Sequence, residues 1–168
     1  MIELLCTDYN KKATFIHFYL SNAVLDIFPK QLNNNMEVYK YSYYYADTFL
    51  DPTAQIYLEC SYEEDDYLKE IERLEGIQEE YAGRIQSIAY DTDSFSYPAY
   101  VTIDADNHCY EYALLIGERK IAYVFLQFIK EEDIVFPVEY LPKEYEQKGT
   151  GYSIYLFEYQ NGDRYGVY

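Results

Sequence analysis

His108 and Cys109 are adjacent, and a thiol beside an imidazole is the least that nucleophilic catalysis requires, because a base must take the proton that leaves the nucleophile. A predicted strand from 109 separates them, since neighbours on a pleated strand point to opposite faces. Cys109 would then need His17, the other histidine, across the fold. The simpler reading is a small buried hydrophobe beside a solvated turn histidine. The segment GYSIY (151–155) lacks the second glycine of a serine nucleophile elbow.

Two acidic clusters, DTDS (91–94) and DADNH (104–108), begin like calcium loops. Counting from Asp104, the sixth position is Cys109 instead of glycine and the twelfth is Leu115 instead of a bidentate glutamate. Both clusters therefore read as turns held by Asp and Asn side chains. No Cys and His spacing suits zinc, and no glycine-rich run cradles phosphate. The sequence implies no cofactor and no metal. With 30 acidic residues some carboxylate pair must fall close together, so a small carboxylate-dependent hydrolase remains an alternative that no spacing supports.

Tyrosine is the residue type that stands out. The stretch YKYSYYYAD (39–47) holds five of the 24 tyrosines, and its period of two predicts a half-buried strand. Strict alternation puts Tyr39, Tyr41, Tyr43 and Tyr45 on one face and Val38, Lys40, Ser42 and Tyr44 on the other. Such a row is either a core layer under a helix or an exposed platform for sugar rings or apolar side chains. Most of these rings are expected in the core, with Lys40 and Ser42 facing solvent; the platform version gives a carbohydrate-binding module as an alternative function.

The elements that must position these residues read as follows. QIYLECS (55–61) pairs with the tyrosine strand as a hairpin. A helix over about 62–76 follows, with Ser61 and Glu64 as its capping box, Glu63, Asp65 and Asp66 in its first turn, Leu68, Ile71 and Leu74 with Tyr67 as its apolar stripe, and Gly76 as its stop. Its outward face carries Glu70, Glu72 and Glu75, balanced only by Lys69 and Arg73. Strands are then expected at 85–90, 97–103, 109–116, 120–129, 151–160 and 164–168, with Asn161-Gly162 as a hairpin turn. KIAYVFLQFI (120–129) is apolar on both sides, Ile121, Tyr123, Phe125 and Ile129 against Ala122, Val124, Leu126 and Phe128, and so must be covered twice. The cover for its second face would be the N-terminal segment, a curled sheet or another protomer. Before the tyrosine strand, FIHFYL (15–20) suggests a short strand and 21–28 a short helix ending before Pro29.

A chain of 168 residues suits one domain. The expected class is α+β: a mainly antiparallel, meander-rich sheet with one principal amphipathic helix packed on a face. The formal charge of −17 disfavours nucleic acid and anionic membrane surfaces and favours basic partners. Three cysteines without CxxC make no disulfide framework, and no leader or membrane-spanning run is evident, so the chain reads as cytoplasmic, or as extracytoplasmic if a leader segment was removed. The preferred function is a non-catalytic interaction protein recognising a basic protein or peptide. Tyr39, Tyr41, Tyr43 and Tyr45, with Glu63, Glu70 and Glu72, are its candidate partner-binding residues. Homo-oligomerisation is left open.

Overall fold

Aromatic and β-branched runs supply the strands, because their side chains pack well on a pleated surface. The computed structural model describes residues 27–30, 32, 36–46, 53–80, 89–104, 109–127, 129, 133–143, 145, 147–148 and 151–152. Six strands form one antiparallel sheet: β1 (Met36–Ala46), β2 (Thr53–Tyr62), β3 (Ala89–Asp91), β4 (Ala99–Asp104), β5 (Cys109–Gly117) and β6 (Lys120–Gln127), in the order β1-β2-β6-β5-β4-β3. A hairpin, β1-β2, is thus joined to a meander, β3 to β6, whose last strand returns to lie beside β2. One helix, α1 (Glu64–Glu80), follows β2 and packs on the sheet, giving the expected α+β architecture. A separate pair, β7 (Gln147–Lys148) and β8 (Gly151–Tyr152), covers the start of the strand expected at 151–160. The remainder of that strand, the strand at 164–168, most of that at 85–90 and the elements expected at 15–26 lie outside the described residues. Ile27 and Phe28, placed by the sequence in the short N-terminal helix, are described and are not helical.

The double-sided apolar character of β6 divides the core into two layers. Ile121, Tyr123 and Phe125 join Ile56, Leu58 and Cys60 of β2 beneath α1. Ala122, Val124 and Leu126 join Tyr57, Tyr112 and Leu114 on the opposite face. That second face is covered by the chain's own irregular segments, a source not among the three expected from sequence: Phe95 from the β3–β4 connection and Phe136, Tyr140 and Tyr145 from the segment after β6. Ile27, Phe28 and Leu32 lie instead on the helix side. The Gln55 side chain pins the covering segment, donating to the Asp133 carbonyl at 2.8 Å and accepting from the Val135 amide at 3.2 Å. Ile129 belongs to this second layer and not with Ile121 as expected, because β6 ends at Gln127 and strand alternation no longer governs it.

The helix departs from its expected bounds at both ends. Ser61 remains in β2, opposite Glu37 and Lys120, so it does not cap; α1 begins at Glu64, with Glu64, Asp65 and Asp66 in its positive first turn. Gly76 does not stop it. The helix continues to Glu80 because Ile77 extends the buried stripe, while Gly76 sits on the solvent side where nothing obstructs the helical path. The β5–β6 turn is tied to the end of β2, just ahead of α1: Arg119, at φ 57°, presents its carbonyl to the Tyr62 amide at 3.0 Å.

Candidate functional site

Recentring α1 on its buried residues changes which side chains face outward. At about 100° per residue, Tyr67, Ile71, Leu74 and Ile77 share one arc, Glu70 falls within about 40° of its centre, and Leu68 lies about 120° away. The packing agrees: Leu74 and Ile77 are buried, Tyr67 and Ile71 are half-buried, and Leu68 is 59% exposed. Leu68 therefore leaves the apolar stripe in which the sequence placed it. It stands on the solvent face among exposed carboxylates, with Glu64 one turn before it, Glu72 one turn after it and Asp65 alongside. Glu63 and Glu75 extend this acidic surface at either end. Lys69, also exposed, is engaged by Asp66 at 2.9 Å.

Glu70 does not belong to that surface, contrary to its sequence assignment, because it is turned inward. Arg73 Nε and Nη2 donate to its two oxygens at 2.8 and 2.7 Å, and the Tyr123 hydroxyl donates to Oε1 at 2.6 Å. The Tyr123 and Tyr62 hydroxyls meet at 2.6 Å, and Arg73 Nη2 also donates to the Ile27 carbonyl at 2.6 Å. A buried carboxylate is tolerable only with partners of this kind. Burial, reinforced by the charge of Glu70, pushes the Tyr62 and Tyr123 phenols well above their ordinary value. Both stay neutral donors at physiological pH. Glu70 and Arg73 thus attach the helix to the sheet and are spent on that task.

The tyrosine strand is also rearranged. A β-bulge lies between Val38 and Lys40, which pair with Cys60 and Glu59. The extra residue is Tyr39, and it reverses the facing of everything before it. Val38, Tyr41 and Tyr43 all pack against the helix-side core. Tyr39 is 48% exposed, donates to Glu37 at 3.0 Å, and has the Lys120 ammonium 4.8 Å above its ring. The continuous row of Tyr39, Tyr41, Tyr43 and Tyr45 expected from strict alternation is therefore broken; the Tyr45 side chain lies outside the described residues. Tyr44, assigned to the mixed face, is exposed. The bulge has no signature in residue type at Tyr39, so sequence reasoning could not find it, whereas the outward position of Leu68 follows from helical spacing once Ile77 is included.

Of the remaining constellations, DTDS is a turn: Asp91 Oδ1, buried, accepts the amides of Asp93 and Ser94 at 2.7 and 2.8 Å. Cys60 is buried in the helix-side core. His17 and His108 lie outside the described residues, as does the side chain of Cys109. Among the described residues no group of three His, Cys, Asp or Glu side chains is placed to hold a metal ion, and no helix is long and apolar enough to cross a membrane. No family model matches the chain, and neither a curated protein nor a solved structure matches it. The functional reading accordingly rests on this chain's own geometry.

Proposed function

We propose that this is a non-catalytic interaction protein that receives a basic protein or peptide on the outward face of α1. The observation that carries the reading is Leu68, a large apolar side chain held 59% exposed between Glu64, Asp65 and Glu72. An isolated exposed leucine is ordinary; one centred in a ring of carboxylates offers an apolar anchor within a field that selects cations. The net charge of −17 supports the same choice by steering basic partners toward the molecule. Glu63, Glu72 and Glu75 act as the charged rim and Leu68 as the anchor; Glu70 is withdrawn from the candidate set by its bonds to Arg73 and Tyr123.

The test uses a labelled lysine-rich helical peptide with one central leucine, titrated against the full chain. Binding should weaken steeply between low and physiological salt, and L68A should lower affinity at least about tenfold, the effect of losing one apolar anchor. Glu118→Gln, at the exposed β5–β6 turn, should leave affinity nearly unchanged. Equal affinity for L68A and the native chain would overturn the proposal.

A further inference from the structure

The exposed flank of α1 continues onto the sheet. Glu75 lies seven residues beyond Leu68, about 20° short of two full turns, so the two share one stripe about 10 Å apart along the axis. Both are exposed. The Glu75 carboxylate reaches β4, where it accepts the Tyr100 hydroxyl at 3.2 Å. Burial, and after it the charge of Glu75, raises the Tyr100 phenol, so this donor keeps its proton and orients the carboxylate.

Tyr100 also supports an aromatic surface. Across the β3–β4 pair it stands opposite Tyr90, and the two rings lie 5.0 Å apart with their planes at 49°. Tyr100 belongs to the helix-side core, which puts its partner Tyr90 on the same side of the sheet. β3 is the last strand of the described sheet, and the Tyr90 ring is 46% exposed. Half-buried Tyr67 of α1 joins this group, its phenol raised by burial and then by the nearness of Tyr90.

An exposed ring and an exposed carboxylate thus flank one buried tyrosine. A ring face attracts a cation, and a carboxylate accepts two parallel N–H bonds from a guanidinium. Arginine does both at once, because its planar fork stacks by its face while its edge donates; the compact lysine ammonium offers only a point charge. Among the described residues no lysine or arginine is paired with Glu75. Glu64 and Glu72, one turn to either side of Leu68, extend the same negative field.

We propose that this flank makes the docking face selective for arginine: a basic helical partner sets its leucine against Leu68 and, two turns away, lays one guanidinium over the Tyr90 ring with its edge on Glu75. This deepens the proposed function and rests on α1 being the docking face.

The test places one arginine in the lysine-rich peptide with a central leucine, seven positions before the leucine in one peptide and seven after it in another. One of the two should bind the full chain at least about threefold more tightly than the all-lysine peptide, the scale of one exposed cation–ring contact. Tyr90→Leu, which keeps an apolar cover over Tyr100, and Glu75→Gln should each remove that advantage, both chains being folded by circular dichroism. Should Tyr90→Leu fail to fold, Glu75→Gln, at an exposed position, decides. L68A should weaken every peptide while keeping the ratio of arginine to lysine affinity, which separates this subsite from the anchor. No arginine advantage at either position, or an advantage that survives Glu75→Gln, would overturn the proposal while lysine-peptide binding still supported the α1 face. Failure of every peptide to bind would remove that face and the arginine subsite with it.

Discussion

Removing Arg73 while keeping Glu70 is the sharpest perturbation of how α1 is attached. The Arg73 side chain is 27% exposed and that of Glu70 11%. One-sided loss of a fully buried pair costs about 3–5 kcal/mol, and partial access to water reduces this, so Arg73→Met should cost about 2–3 kcal/mol. A chain of this size shifts its Tm by about 2–4 °C per kcal/mol, which predicts a fall of about 5–10 °C. The double variant Arg73→Met with Glu70→Leu removes both charges and leaves apolar groups against Tyr67 and Ile71. It should return to within about 1–2 kcal/mol of the native chain, the remainder reflecting the Ile27 carbonyl that loses its Arg73 donor in both variants, with Tyr62 still available to the Tyr123 hydroxyl. Urea unfolding of the four chains gives the coupling, expected at about 1.5 kcal/mol or more. If Arg73→Met costs less than about 0.5 kcal/mol, or if the two single losses simply add, the inward pair is not what secures the helix.

Three further outcomes are expected. Gly76→Ala should raise stability by about 0.5–1 kcal/mol in thermal unfolding, since an added Cβ meets nothing within 4 Å and the site is in mid-helix. Tyr112→Phe should be neutral or stabilising by up to about 1 kcal/mol, because its buried hydroxyl has no hydrogen-bond partner among the described residues; a loss of that size would reveal one. Alkaline pH should destabilise the fold early: burial raises the phenols of Tyr57, Tyr62, Tyr100, Tyr112 and Tyr123 above the ordinary value of 10.0. Their contribution is fully present below pH 10.0, where both folded and unfolded chains are protonated, and is lost as pH rises and only the unfolded phenols ionise, by about 1.4 kcal/mol per phenol per pH unit. Urea midpoints followed from neutral pH upward should decline steeply beyond that value, with the phenolate absorbance of these five rings, as distinct from that of exposed tyrosines such as Tyr39 and Tyr44, appearing only as the chain unfolds.

The class of fold was legible because it depends on periodicity, which is local. The near-alternation of 38–45, the double-sided apolar run of β6 and the acidic start of α1 each mark an element where it forms, although strict alternation fails at the Tyr39 bulge. The helix surface was misread for a specific reason. Ending the helix at Gly76 omitted Ile77, moved the centre of the stripe toward Leu68, and put Glu70 outside; a glycine on the solvent side of a helix need not end it when the next apolar residue still reaches the core.

The sequence by itself determined that strands and one amphipathic helix would form, and that the surface would be acidic, because both follow from the order and charge of neighbouring side chains. Only the tertiary structure decided that a bulge at Tyr39 splits the tyrosine row, that Glu70 and Arg73 turn inward, and that Glu111 grips a backbone 84 residues away. Those outcomes depend on which groups meet across the sheet, where a buried charge must find its partner at long range in the chain, and no local pattern encodes that meeting.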